Sequence, residues 1–205
     1  MERSFDEVLI APVHLRFGRT PLEAQIYWPR RQLLADATSL MLLLADEARP
    51  GDADLLGREL SASADVVVLR VPARVQSLAA LIWAADHAHE FGGKADRVMV
   101  AGRGVSGARA ARLAIAARDN GWPVLQRQLL VHPRFTIACP PPVRFVGVAA
   151  ATIVSGSGPW DEASRYAARL KHAGVEVGEL RQRDDDETRM IAQLAQSLRT
   201  KGSIA

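Results

Sequence analysis

Cysteine is nearly absent, since Cys139 is the single one in 205 residues. This excludes an internal disulfide framework and a cysteine-based zinc pattern, and it indicates a reducing compartment. No apolar run reaches the roughly 18 residues that span a bilayer. Residues 1–7 are charged and lack the apolar stretch of a signal peptide. We therefore expect a soluble, cytoplasmic protein without a membrane span.

Aromatic residues are also scarce, at 5% of the chain, whereas hydrophobic residues reach 48%. These values predict an aliphatic core of domain size. The 26 Lys and Arg are interleaved with 23 Asp and Glu, and no basic block stands beside aromatic residues. We therefore predict no nucleic-acid partner. We expect a single domain over residues 1–205, with loose termini at 1–6 and 201–205.

The apolar pattern alternates between strands and helices. The first two strand-like runs lie close together and predict an antiparallel pair, whereas later unbroken apolar runs predict strands buried on both faces. The predicted strands are residues 7–15, 22–28, 40–45, 64–69, 97–101, 128–132, 149–155 and 175–181. The predicted helices are residues 52–62, 75–91, 105–118, 160–173 and 187–200. This order predicts an α/β fold with an eight-stranded, mostly parallel sheet flanked by helices.

The most informative turn lies in residues 98–107, which read VMVAGRGVSG. Gly102, Gly104 and Gly107 satisfy the G-x-G-x-x-G pattern of dinucleotide-binding turns, in which a helix N-terminus holds the pyrophosphate. Against this interpretation, the next strand ends in LVHP without the acid that binds ribose, and the turn follows the fifth strand rather than the first. Nucleotide binding therefore stays an alternative.

Residues 95–102, ADRVMVAG, resemble the approach to the nucleophile elbow in the hormone-sensitive-lipase group of carboxylesterases and lipases, D-R-I-x-V-A-G-D-S-A-G-G. Residues 128–133, QLLVHP, are similar to that group's Q-L-L-x-Y-P strand. Residues 151–156 and 166–175 resemble its seventh strand and the helix and turn that follow. The resemblance runs with gaps over residues 20–182. It implies the α/β-hydrolase fold, in which the nucleophile follows the fifth strand.

The family's chemistry is missing from the matching positions. The resemblance implies a serine nucleophile, a histidine, an acid and an H-G-G-G oxyanion motif. In register, Gly104 stands at the nucleophile position and Gly158 at the acid position. Residues 181–190 contain no histidine, and residues 44–52 contain no H-G-G-G motif. We also expect the lid, which this family builds partly between strands six and seven, to be largely absent.

Ser106 is the remaining candidate for a catalytic residue, because G-V-S-G resembles the G-x-S-x-G motif two positions late. The alternative interpretation is that Ser106 caps or opens the following helix. His132 ends a predicted strand, and we interpret it as structural. His87 and His89 are two apart on a predicted helix and so face different sides, which predicts no shared metal.

Our leading hypothesis is a catalytically silent α/β-hydrolase-fold protein that serves binding, scaffolding or assembly, without cofactor or metal. One alternative is a weak or unconventional carboxylesterase or lipase that uses Ser106. The other is a nucleotide-binding protein that uses the glycine turn at Gly102, Gly104 and Gly107. A reduced lid would expose apolar surface near the carboxyl edge of the sheet. A homodimer, another protein partner and a small apolar ligand therefore remain open.

Overall fold

The computed structural model describes residues 8–17, 20–30, 38–73, 77–135, 145–156, 161–182 and 187–201. Within these ranges the strands are β1 Val8–Phe17, β2 Thr20–Pro29, β3 Thr38–Ala45, β4 Val67–Pro72, β5 Gly93–Arg103, β6 Leu125–Val131, β7 Ala150–Ser155 and β8 Val177–Arg181. The helices are α1 Pro50–Ala64, α2 Ser77–Asp86, α3 Val105–Asn120, α4 Glu162–His172 and α5 Glu187–Lys201, with a 3₁₀ helix at Ala88–Phe91.

The eight strands form one sheet in the order β1-β2-β4-β3-β5-β6-β7-β8. β1 pairs antiparallel with β2, and β2 pairs antiparallel with β4, whereas every later pairing is parallel. The predicted eight-stranded, mostly parallel sheet and its N-terminal antiparallel pair are therefore confirmed. The chain leaves β3 toward β4 and returns to its other side with β5, so the strand order reverses at β3. Open α/β sheets gather ligands at the carboxyl ends of strands beside such a reversal.

The sheet is buried on both faces, as the unbroken apolar runs predict. Leu42 lies fully buried in a cluster that packs the sheet against α2, α3 and α4. Its neighbour Met41 lies fully buried in a second cluster, against α1 and α5. Successive side chains of a strand point to opposite faces, so a single strand such as β3 supplies both cores. The helices therefore hold the sheet's carboxyl edge in place from two sides.

Two predicted boundaries are wrong for local backbone reasons. The strand expected from residue 64 begins at Val67, because α1 continues to Ala64 and ends at Asp65 in a left-handed conformation with φ 59°. The helix expected over residues 75–91 is divided, because α2 ends at Asp86 and a separate 3₁₀ helix follows. Both changes lie away from the carboxyl edge of β5, so the predicted turn there keeps its place between strand and helix.

Several predictions lie outside the described residues. Residues 136–144, between β6 and β7, contain Cys139 and the stretch on which the reduced lid depends. Residues 157–160 contain Gly158, and residues 183–186 contain most of the acidic run that precedes α5. These expectations stay predictions. Among the helices that the structure describes, none has both the length and the apolar character that a bilayer-crossing segment requires.

Candidate functional site

Gly104 forms the sharp turn between β5 and α3. Its backbone angles are φ 58° and ψ −124°, in a region that L-residues with side chains rarely adopt. Its N–H donates to the carbonyl of Val131 at 2.9 Å, and its carbonyl accepts from the N–H of Arg134 at 2.9 Å. The turn is thereby attached to the end of β6, and its glycine meets a backbone requirement.

The other two glycines of the turn allow close packing between strand and helix. A Cβ on Gly102 would lie 2.3 Å from the carbonyl oxygen of Ser106. A Cβ on Gly107 would lie 3.0 Å from the carbonyl oxygen of Gly102 and 3.3 Å from Pro133. Each glycine of the G-x-G-x-x-G pattern therefore has a steric or conformational reason that requires no bound nucleotide.

Ser106 is the second residue of α3 and is 2% exposed. The N-cap of the helix is Gly104, and no side chain caps this end with a hydrogen bond. Ser106 thus lies in the opening turn without serving as the cap. It is also not among the described residues that line the neighbouring cavity.

A cavity of about 290 Å³ lies against the turn, at the carboxyl ends of β3, β5 and β6. Its apolar wall consists of Leu43, Leu44, Ala53, Leu56 and Val105, together with Gly104. Its charged and polar wall consists of Asp46, Arg49, Asp52, Arg103, His132 and Arg134. None of these described lining residues is a serine, threonine or cysteine. The cavity thus combines an apolar wall with three arginines, but offers no hydroxyl or thiol nucleophile among the residues described.

His132 joins the cavity to the end of the sheet. Its φ is 44°, an uncommon value for a residue other than glycine. Its backbone N–H donates to the carbonyl of Val154 at 3.0 Å, and its Nε2 lies 2.5 Å from Oε1 of Gln182. The two side chains therefore share a hydrogen bond, in which either the imidazole or the amide can donate, depending on the tautomer and the amide orientation. Gln182 follows β8, the region where the resemblance implies a catalytic histidine.

Two acids that follow β3 and β7 accept hydrogen bonds from nearby backbone N–H groups. Oδ1 of Asp46 accepts from the N–H of Ala48 at 3.1 Å. After β7, Oδ2 of Asp161 accepts from the N–H of Gly156 at 3.1 Å. Neither bond places a carboxylate on a histidine. Among the described residues, no cluster of three or more His, Cys, Asp or Glu could hold a metal ion.

The three arginines of the cavity were missed by the sequence analysis. Arg103 ends β5, Arg134 follows β6, and Arg49 follows β3. A usable signal existed, because ligands of open α/β sheets bind outside the carboxyl ends of the strands. A search for cations just after each predicted parallel strand would have found all three.

The sequence and structure are similar to those of esterases. A family model described as an alpha/beta hydrolase fold matches residues 69–153. Esterase LipI of Mycobacterium tuberculosis is 31% identical over 128 residues, which cover 55% of this chain. The chain spans 40% of the length of that relative.

Two solved structures show the same fold over nearly all of the chain. A thermostable esterase from Pseudomonas putida aligns with a TM-score of 0.83 and 18% identity, covering 100% of this chain and 86% of that one. A hyperthermophilic esterase from the archaeon Pyrobaculum calidifontis aligns with a TM-score of 0.78 and 17% identity, covering 95% and 84%. At these identities the likeness shows the fold alone. The chain is therefore an α/β-hydrolase-fold protein that is esterase-like in sequence and structure.

Proposed function

We propose that this chain is a hydrolytically silent α/β-hydrolase-fold protein that binds a small ligand in the cavity beside Gly104. One observation carries the proposal. The residue at the turn, where this fold supplies its nucleophile, is a glycine with φ 58° and ψ −124°. A glycine has no side chain with which to attack an ester.

The lining of the cavity supports the same conclusion. Covalent ester hydrolysis needs a nucleophile and a base within hydrogen-bond reach of each other. The described lining supplies His132 but no hydroxyl or thiol. The Nε2 of His132 is engaged in a hydrogen bond with Gln182 at 2.5 Å, and no described serine, threonine or cysteine lines the cavity beside this histidine. The cavity thus offers space for a ligand, while its described lining supplies no hydroxyl or thiol nucleophile.

Ester hydrolysis by Ser106 is the second candidate function. The comparisons favour it, because the relative and the solved structures are themselves named esterases. The geometry favours the silent protein, because Ser106 is 2% exposed and lies in the first turn of α3, outside the cavity lining. For Ser106 to act, that turn would have to move.

A fluorophosphonate probe separates the two candidates, because it labels activated serines covalently. We expect no more labelling of the folded protein than of the heat-denatured protein. Ser106→Ala should leave this background unchanged, and so should Ser39→Ala, which alters a partly buried serine on β3. Strong labelling that persists in Ser39→Ala but disappears in Ser106→Ala would identify Ser106 as a nucleophile. That result would contradict the proposal that the protein is hydrolytically silent.

A further inference from the structure

We infer that the cavity beside Gly104 binds a small organic carboxylate with an apolar body. The inference rests on the proposed function, since it names the class of ligand for the same cavity. It is carried by three arginines and an apolar wall that line one cavity of about 290 Å³. The two kinds of lining match the two parts of such a ligand.

The arginines supply the recognition of the carboxylate. Arg103 is partly buried, whereas Arg49 and Arg134 are exposed. In the part of the chain that the structure describes, no acid forms an ion pair with Arg49 or Arg134. A guanidinium presents paired N–H donors whose geometry matches the two oxygens of a carboxylate. A bound carboxylate would therefore supply a counter-charge for Arg49 and Arg134, which have no ion-pair partner among the described residues.

The residues that line the cavity include more positive than negative side chains, which favours a bound anion. Three arginines face two acids, Asp46 and Asp52. The carboxylate of Asp46 already accepts the N–H of Ala48. Asp52 lies in the first turn of α1, where the helix dipole stabilises a negative charge. The lining therefore keeps a positive excess next to Gly104.

Two helices begin at the cavity and add to this field. α1 contributes Asp52 and Ala53 from its first turn, and α3 contributes its first residue, Val105. The N-terminus of a helix carries partial positive charge from its unpaired N–H groups. The N-termini of both helices therefore favour a bound anion, as the arginines do.

The apolar wall selects an organic anion over an inorganic one. Leu43, Leu44 and Leu56 are each at most 2% exposed and are among the residues that line the cavity. An apolar group placed against them would gain about 25 cal/mol for each Å² removed from water. The volume is at the small end of ligand pockets, which hold roughly 300–1,000 Å³. A ring or short branched chain that bears one carboxylate fits this combination.

Calorimetric titration with benzoate tests the inference directly. We expect saturable binding of benzoate, with benzyl alcohol and inorganic phosphate each at least about tenfold weaker, a difference equivalent to about 1.4 kcal/mol. Benzyl alcohol keeps the ring without the charge, and phosphate keeps the charge without the ring. Equal binding of benzyl alcohol, tighter binding of phosphate, or no detectable binding of benzoate would each overturn the inference.

Charge-removing variants locate the site. Arg103→Gln should weaken benzoate binding about tenfold, and Arg134→Gln should weaken it a few-fold, because exposed ion pairs are worth less. The matched control is Arg109→Gln, which removes an exposed arginine of α3 outside the cavity lining. An unfolding curve for each variant shows that the fold is kept. Weakening by Arg109→Gln equal to that by Arg103→Gln would contradict binding in the cavity.

Failure of this inference is distinguishable from failure of the proposed function. Absence of benzoate binding, together with absence of probe labelling, removes the ligand class but leaves the silent protein. Benzoate binding together with Ser106-dependent turnover of methyl benzoate keeps the carboxylate site, which would then hold a product. In that case the proposed function fails and the cavity assignment stands.

Discussion

At the scale of single residues, Gly104 shows why the turn keeps a glycine. Nothing lies within 4 Å of the place where its Cβ would be, so a side chain would have room. The backbone angle is the constraint, because φ 58° lies where a side chain strains the backbone. A serine at this position would carry that strain, and in an active hydrolase the chemistry compensates for it. Glycine adopts this φ without strain, but it has no side chain that could act as a nucleophile.

We expect Gly104→Ala to lower the free energy of unfolding by about 1–3 kcal/mol, the cost of a side chain in a strained backbone region. Urea unfolding monitored by tryptophan fluorescence measures it. The matched control is Gly51→Ala in the first turn of α1, where the added Cβ also meets nothing within 4 Å and φ is not positive. A loss in Gly104→Ala no larger than in Gly51→Ala would contradict a strained turn.

At the scale of elements, α1 is attached to the antiparallel end of the sheet through Asp54. Tyr27 of β2 donates its hydroxyl to Oδ1 of Asp54 at 2.8 Å, and Arg58 donates its Nε to Oδ2 at 2.7 Å. Burial alone would raise the pKa of Asp54, but the hydrogen bonds from Arg58 and Tyr27 outweigh it and hold this pKa below its usual value. Burial, followed by the hydrogen bond to Asp54, raises the pKa of Tyr27.

This arrangement predicts a pH-dependent contribution to stability. A carboxyl whose pKa is lower in the folded state stabilises the fold above its unfolded pKa, near 3.9, and loses that effect as the pH falls through the folded value. We expect Asp54→Asn to lower the free energy of unfolding by about 1 kcal/mol at neutral pH. The difference between wild type and variant should shrink as the pH falls below the unfolded pKa. A difference that stays constant in chemical denaturation from neutral to acidic pH would contradict the account.

The sequence pattern predicted which helices and strands form more accurately than it predicted the residues at which they begin and end. The unbroken apolar runs at residues 40–45 and 97–101 predicted buried strands because both faces of β3 and β5 are covered. The left-handed Asp65 that ends α1 was missed, since an Asp in that conformation leaves no mark in an apolar pattern. The glycine turn was placed correctly between strand and helix, but the arginines of the cavity were not recognised. Each of these arginines follows a predicted strand, but that the three line one cavity depends on the strand order, which the one-dimensional pattern does not contain.

At the scale of the whole molecule, one sheet supplies two cores. Met41 and Leu42 are neighbours on β3, both fully buried, and they belong to opposite faces. If the chain is a single domain, the two faces cannot unfold separately, because the strand between them is shared. A single domain of this kind should therefore unfold in one cooperative transition.

We expect Met41→Ala and Leu42→Ala each to cost about 2–5 kcal/mol, the usual range for such truncations in a packed core. Both should shift the same single transition in urea, seen alike by fluorescence and circular dichroism. An exposed substitution on α5, Gln193→Ala, serves as the control and should change the midpoint little. Two separated transitions, each sensitive to one variant, would show that the faces unfold independently.

We propose that the protein has the α/β-hydrolase fold without its hydrolytic chemistry, and hydrolysis of p-nitrophenyl butyrate is the decisive measurement. We expect the folded protein to release p-nitrophenol no faster than buffer, and Ser106→Ala to behave identically. Release above buffer by the folded protein would contradict the claim, and its loss in Ser106→Ala would assign the activity to that serine.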